Sequence, residues 1–123
     1  MRLNVVKQVY KAHAQICQVL SNPIRLEVID LLRSGEKAVG TLAEEMGVTK
    51  ANLSQQLAVM RGKGILETRR EGQRIYYRLA FPKMLKAYDL LREVLIEKMG
   101  ATDPMVHHLK KMRVHRGFRR QKE

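Results

Sequence analysis

Tryptophan is absent from this chain and phenylalanine occurs twice, so Leu, Val, Ile and Met must supply most of the core. The single cysteine, Cys17, excludes an intramolecular disulfide and fits a reducing compartment. No apolar run approaches the ~18 residues that a spanning helix needs. Lys7 and Lys11 interrupt any signal-peptide core, so a cytoplasmic protein with no membrane partner is expected. Gly-rich phosphate loops, a nucleophile elbow and an HExxH helix are missing, and no Ser, His and acid set falls on credible elements; catalysis is not expected. Acidic residues are outnumbered, 12 Asp plus Glu against 24 Lys plus Arg in 123 residues, which leaves a formal net charge of +12. That excess favours nucleic acid or an anionic surface and argues against a cationic partner.

The shortage of acid is sharpest from Thr49 to Lys63, TKANLSQQLAVMRGK, which holds no Asp or Glu. On a helix, Leu53, Leu57 and Met60 fall at i, i+4 and i+7 and make one inward stripe. Lys50, Ala51, Asn52, Ser54, Gln55 and Gln56 are then the outward set. Amides, hydroxyls and ammonium groups donate to phosphate oxygens, and Asn or Gln can pair with adenine N6 and N7 in a major groove. Thr49 can cap the helix. Upstream, TLAEEMGV reads as a short helix ended by Gly47, and two helices joined through Gly47-Val48-Thr49 have helix-turn-helix spacing. Downstream, ILETRR and RIYYRL are strand-like runs separated by Glu71-Gly72-Gln73, a hairpin signal. Arg69, Arg70, Arg74 and Arg78 decorate it. The expected fold is mainly α with a small β-hairpin wing, a winged helix-turn-helix whose Arg61, Arg69, Arg70, Gln73 and Arg74 meet phosphates or the minor groove.

The flanks add two longer helices. The first, about residues 5 to 20, carries Val5, Val9, Ala12, Ile16 and Leu20 on one stripe, and Val6, Tyr10, His13 and Cys17 widen the apolar arc to roughly half the circumference. A second contact surface is implied. Asn22-Pro23 starts the next helix, with Ile24, Val28, Leu31 and Leu32 inside and Ser34-Gly35 as its stop. Lys37 to Val39 is a candidate third strand. Pro82 opens a helix of about residues 82 to 99, whose apolar positions from Met84 to Met99 again exceed a single stripe. Residues 1–99 are read as the dimeric DNA-binding domain. Residues 100–123 are a basic extension: a short helix from Asp103-Pro104 to about Met112, then a charged tail that is either solvated surface or a DNA-binding arm.

Together, LSNPIRLEVIDLL, LAEEMGVTKANLSQQLAVMRGKGIL and RREGQRIYYRL resemble the ArsR/SmtB family of bacterial winged-helix repressors over about residues 5 to 99. The resemblance implies a homodimer joined through the first and last long helices, which leaves its DNA operator when a small effector binds. It also exposes departures. Where soft-metal sensors of the family carry Cys-Val-Cys-Asp, this chain has Ala38, Val39, Gly40 and Thr41. The last long helix has no histidine for the metal site at the dimer seam, and one cysteine does not reproduce the chemistry of two-cysteine persulfide sensors.

His13 and Cys17 lie four apart on one helix face. They read either as packing residues or as a sensor pair that could take Zn²⁺ or a haem iron with help from His107, His108 or His115; oxidation of Cys17 is a further variant. No metal or cofactor is otherwise expected. The function read from the sequence is a sequence-specific dimeric repressor on double-stranded DNA. The alternative is a non-specific nucleoid-type architectural protein, which would also explain the charge.

Overall fold

Asn22 accepts hydrogen bonds through Oδ1 from the backbone N–H of Ile24 (2.9 Å) and of Arg25 (3.3 Å), and Pro23 supplies a pre-set φ at the first helical position. Helix α2, Pro23–Leu31, therefore starts where the sequence predicts. The computed structural model describes residues 2–112. Before α2 comes α1, Arg2–Val19, which begins earlier than its apolar pattern suggests. After α2 a short 3-10 turn, Leu32–Ser34, leads through Gly35 to strand β1, Lys37–Ala38. Helix α3, Val39–Met46, and helix α4, Lys50–Gly62, follow, then strands β2, Leu66–Glu71, and β3, Arg74–Leu79. Helix α5, Met84–Met99, comes next, and residues 104–112 are also helical.

The three strands form one antiparallel sheet in the order β1-β3-β2. Lys37 and Ala38 pair with Tyr77 and Tyr76, so the candidate third strand is present but ends before Val39, which opens α3. The hairpin is tighter than expected. Glu71 pairs with Arg74, which leaves Gly72-Gln73 as a two-residue loop. Gly72 has φ +62° and Gln73 has no positive φ, the arrangement of a type II′ turn, whose first central position favours glycine.

By contacts the chain divides between Leu85 and Lys86. In the first unit, Val28 and Ile29 of α2, Leu42 of α3, Leu53, Leu57 and Met60 of α4 and Leu66 of β2 are buried. Ile24 and Leu31, expected inside, are half-buried, and Ile29 takes an inward place the pattern missed. Only Val19 of α1 is buried, and it lies on neither expected stripe; Val5, Val9 and Ile16 are all exposed. In the second unit, Ile96, Val106 and Leu109 form a small cluster with Met99, fastening residues 104–112 to α5. Asp103 Oδ1 accepts from the N–H of Met105 (2.9 Å) at the start of that helix. Helix α5 begins at Met84 because Pro82 and Lys83 form a turn, closed by hydrogen bonds from Met84 N to Phe81 O and Leu85 N to Pro82 O. Among the described residues no helix is long and apolar enough to cross a membrane.

Candidate nucleic-acid interface

Thr49 caps α4 through Oγ1, which accepts from the N–H of Asn52 at 3.2 Å. The helix before it closes at Gly47, whose φ of +68° is the left-handed value that a helix stop favours in glycine. With Leu53, Leu57 and Met60 fully buried, the opposite side of α4 turns Lys50, Ala51, Asn52, Ser54 and Gln55 into solvent, and Arg61 is exposed near its end. Gln56 departs from the expectation. It stands three residues after Leu53 and four before Met60, so it shares their side of the helix. The residue is half-buried, and its Oε1 is shut off from solvent with no hydrogen-bond partner.

The tip of the wing stands opposite the starts of α3 and α4. Between them lies a groove of about 690 Å³ whose walls include Gly40, Thr41, Lys50, Gln73 and Arg74, together with the carboxylate-bearing Glu44. Ala38, at the cap of α3, offers no side-chain hydrogen bond to the first turn. The free amides there and the positive end of the helix dipole add to the cationic side chains. Gly40 lies beside the end of the Lys50 side chain: a Cβ on it would be 3.5 Å from Cε and 3.7 Å from Nζ, ordinary van der Waals contact. Lys50 belongs to α4 and Arg74 to the wing, and the fold brings both to one groove.

Alternation sorts the wing into two faces. Leu66, Thr68 and Arg70 share one face with their partners Leu79, Tyr77 and Ile75, whereas Glu67, Arg69 and Glu71 share the other with Arg78, Tyr76 and Arg74. Arg70 is exposed and donates from Nε to Gly72 O at 3.2 Å. Arg78 is bridged to Glu67 (2.7 Å). Arg69, expected as a phosphate ligand, is already held within the fold. Its Nε is 3.1 Å from both carboxylate oxygens of Glu36, its Nη2 is 2.5 Å from Glu36 Oε1, and its Nη1 is 2.7 Å from Glu71 Oε2. The guanidinium carbon sits 4.7 Å from the centroid of the Tyr76 ring. The hydrogen bond from Arg69 outweighs the opposing effect of desolvation and, with the charges of Arg69 and Arg78, holds the Glu36 carboxyl below its ordinary pKa. Arg69 is correspondingly raised by its bonds to Glu36 and Glu71. Glu36 was missed in the sequence; the available signal was its place one residue ahead of β1.

His13 and Cys17 are both exposed on α1, so Cys17 is not a core residue of its own unit. Among the described residues no three His, Cys, Asp or Glu side chains converge as a metal site would require. His107 and His108, exposed on the helix over 104–112, have ring centroids 6.1 Å apart, edge to face. His115 and the basic tail beyond Met112 lie outside the described residues.

Comparison with known proteins agrees with this geometry. The family described as bacterial regulatory protein, arsR family, matches residues 22–68, from the cap of α2 into β2. Over 78 residues the chain is 41% identical to the biofilm growth-associated repressor of Xylella fastidiosa, covering 63% of this chain and 68% of that protein. The crystal structure of the transcriptional repressor BigR from Xylella fastidiosa matches with a TM-score of 0.65 at 36% identity, over 76% of this chain and 95% of that one. The homodimeric winged helix-turn-helix DNA-binding domain from Mycobacterium bovis gives a TM-score of 0.69 at 31% identity, over 79% and 90% of the two chains.

Proposed function

Because the chain belongs to the arsR family of bacterial regulatory proteins, we propose that it is a homodimeric repressor that holds a palindromic operator and leaves it when a small effector binds. The observation that carries this reading is the solvent-facing, acid-free side of α4 beside a groove that also contains Arg74 of the wing. Two copies of α4 related by a two-fold axis would enter successive major grooves about 34 Å apart. In each half-site Lys50, Ala51, Asn52, Ser54 and Gln55 face base edges and the nearest phosphates. Arg61, Arg70, Gln73 and Arg74 grip the backbone or the minor groove.

No catalytic step and no metal enters this mechanism. The start of α3 presents Ala38, Val39, Gly40 and Thr41, which contain no thiolate, and α5 contains no histidine. His13 and Cys17 are the side chains to examine for zinc, haem or oxidant sensitivity, through operator release by the wild type and by Cys17→Ser.

Selection from a randomised duplex library, followed by competition against unrelated DNA at physiological salt, tests the reading. A two-fold symmetric sequence should be enriched and retained with at least about a thousandfold preference. Uniform binding to all duplexes would instead make this a nucleoid-type architectural protein, a reading that the net charge of +12 also accommodates.

A further inference from the structure

A wing that approaches phosphates gains from arginine and loses from carboxylates. Yet the outer face of this wing carries Glu67 and Glu71, and Glu36 is drawn up against it. Glu36, Arg69 and Glu71 together carry two negative charges and one positive, so the trio opposes an anionic partner. Its contribution to stability is small as well, because the ion pairs are exposed to solvent, with Arg69 and Glu36 side chains 42% and 34% accessible. What the trio does supply is geometry. The guanidinium meets Glu36 through two nitrogens, bonds Glu71 through a third and stacks on Tyr76, an arrangement that fixes its plane.

Consecutive residues of a strand point to opposite faces. Glu36 immediately precedes β1 and reaches to the wing's Arg69, 33 residues away. Lys37, the next residue, bonds both carboxylate oxygens of Glu45 on α3 at 2.9 and 2.8 Å. The two-residue β1 runs directly into α3, and α3 packs on α4. Adjacent side chains therefore fasten the wing on one side and the helix-turn-helix on the other. We propose that Glu36 and Lys37 form a two-sided clasp that sets the angle between wing and recognition helix, making Glu36, Arg69 and Lys37 positioning residues for DNA binding rather than DNA ligands. This rests on the repressor reading above, and Arg69 moves from phosphate ligand to hinge pin.

The test measures operator affinity over a range of salt for the full chain, using the duplex enriched by selection. Glu36→Gln removes a negative charge, so an electrostatic role predicts tighter binding and a salt slope steeper by about one unit as Arg69 turns to phosphate. The clasp predicts the reverse: binding weaker by roughly tenfold and a shallower slope, because the wing loses its hold. Arg74→Ala should weaken the wild type but add little in the Glu36→Gln background. Arg69→Lys, which keeps the charge but loses the planar fork, should mimic Glu36→Gln, and Glu36→Asp should restore part of the loss. Tighter binding, unchanged binding, or fully additive effects with Arg74→Ala would overturn the clasp. Failure of the wild type to select any sequence would instead overturn the repressor reading, so the two failures are distinguishable.

Discussion

Gln55 and Gln56 are chemically identical neighbours with different surroundings. Gln55 is in solvent, while Gln56 turns toward the side of Leu53 and Met60 and leaves Oε1 buried without a partner. A buried acceptor without a donor is a cost that an apolar side chain of similar size avoids. We expect Gln55→Ala to lose about 1 to 3 kcal/mol of operator affinity and to relax preference at one base step, as removal of a bidentate amide should. Gln56→Met should leave base preference unchanged and hold or raise the urea midpoint, with a gain of up to about 1 kcal/mol. Competition binding with base-substituted operators reads the first, and urea titration the second. Equal relaxation of specificity in both variants would return Gln56 to the groove-facing set. Arg69 shows the same separation of chemistry from role: its guanidinium suits phosphate, but Glu36 and Glu71 occupy it first.

Elements whose signals are local were legible in the sequence. Asn22-Pro23 and Thr49 mark helix starts because a cap needs only its own next three residues, and both caps are made. The cap of α2 should therefore yield to a local test. Asn22→Ala is expected to cost about 1 kcal/mol of unfolding free energy in urea, and Asn22→Gly only a few tenths. A loss as large for glycine as for alanine would show that Oδ1 contributes through something other than the free amides. The alternation that predicts the wing also predicts which residues share a face, and Gly72 marks its turn. Other features depend on partners distant in the chain. Nothing near Arg69 in sequence announces Glu36, and the loop shortened to two residues because Glu71 found Arg74 across the ladder. For α1 the width of the apolar arc was visible, but which residue the chain itself would bury was not. That residue is Val19, at the C-terminal end of the helix, where the fold of its own unit reaches it.

The exposed apolar surface has consequences for the molecule as a whole. On α1, Leu3, Val5, Val9 and Ile16 are 76%, 58%, 60% and 52% exposed, and on α5 Leu90, Leu91 and Val94 are 61%, 56% and 57% exposed. Each helix thus carries more apolar area than its own unit covers, which favours a second copy of the chain as the cover. Association must also overcome charge, since each copy carries +12. Salt screens that repulsion while it competes for phosphates, so the dimer should tighten with added salt as operator binding weakens. Val9→Glu and Val94→Glu, tested separately, place an unpaired carboxylate on each face and should yield monomers in sedimentation. Operator affinity should then fall by about 10² to 10⁴, because two linked half-sites gain that much over one. A variant that remains dimeric would exclude its helix from the interface, and a monomer with wild-type affinity would mean that one recognition helix is enough.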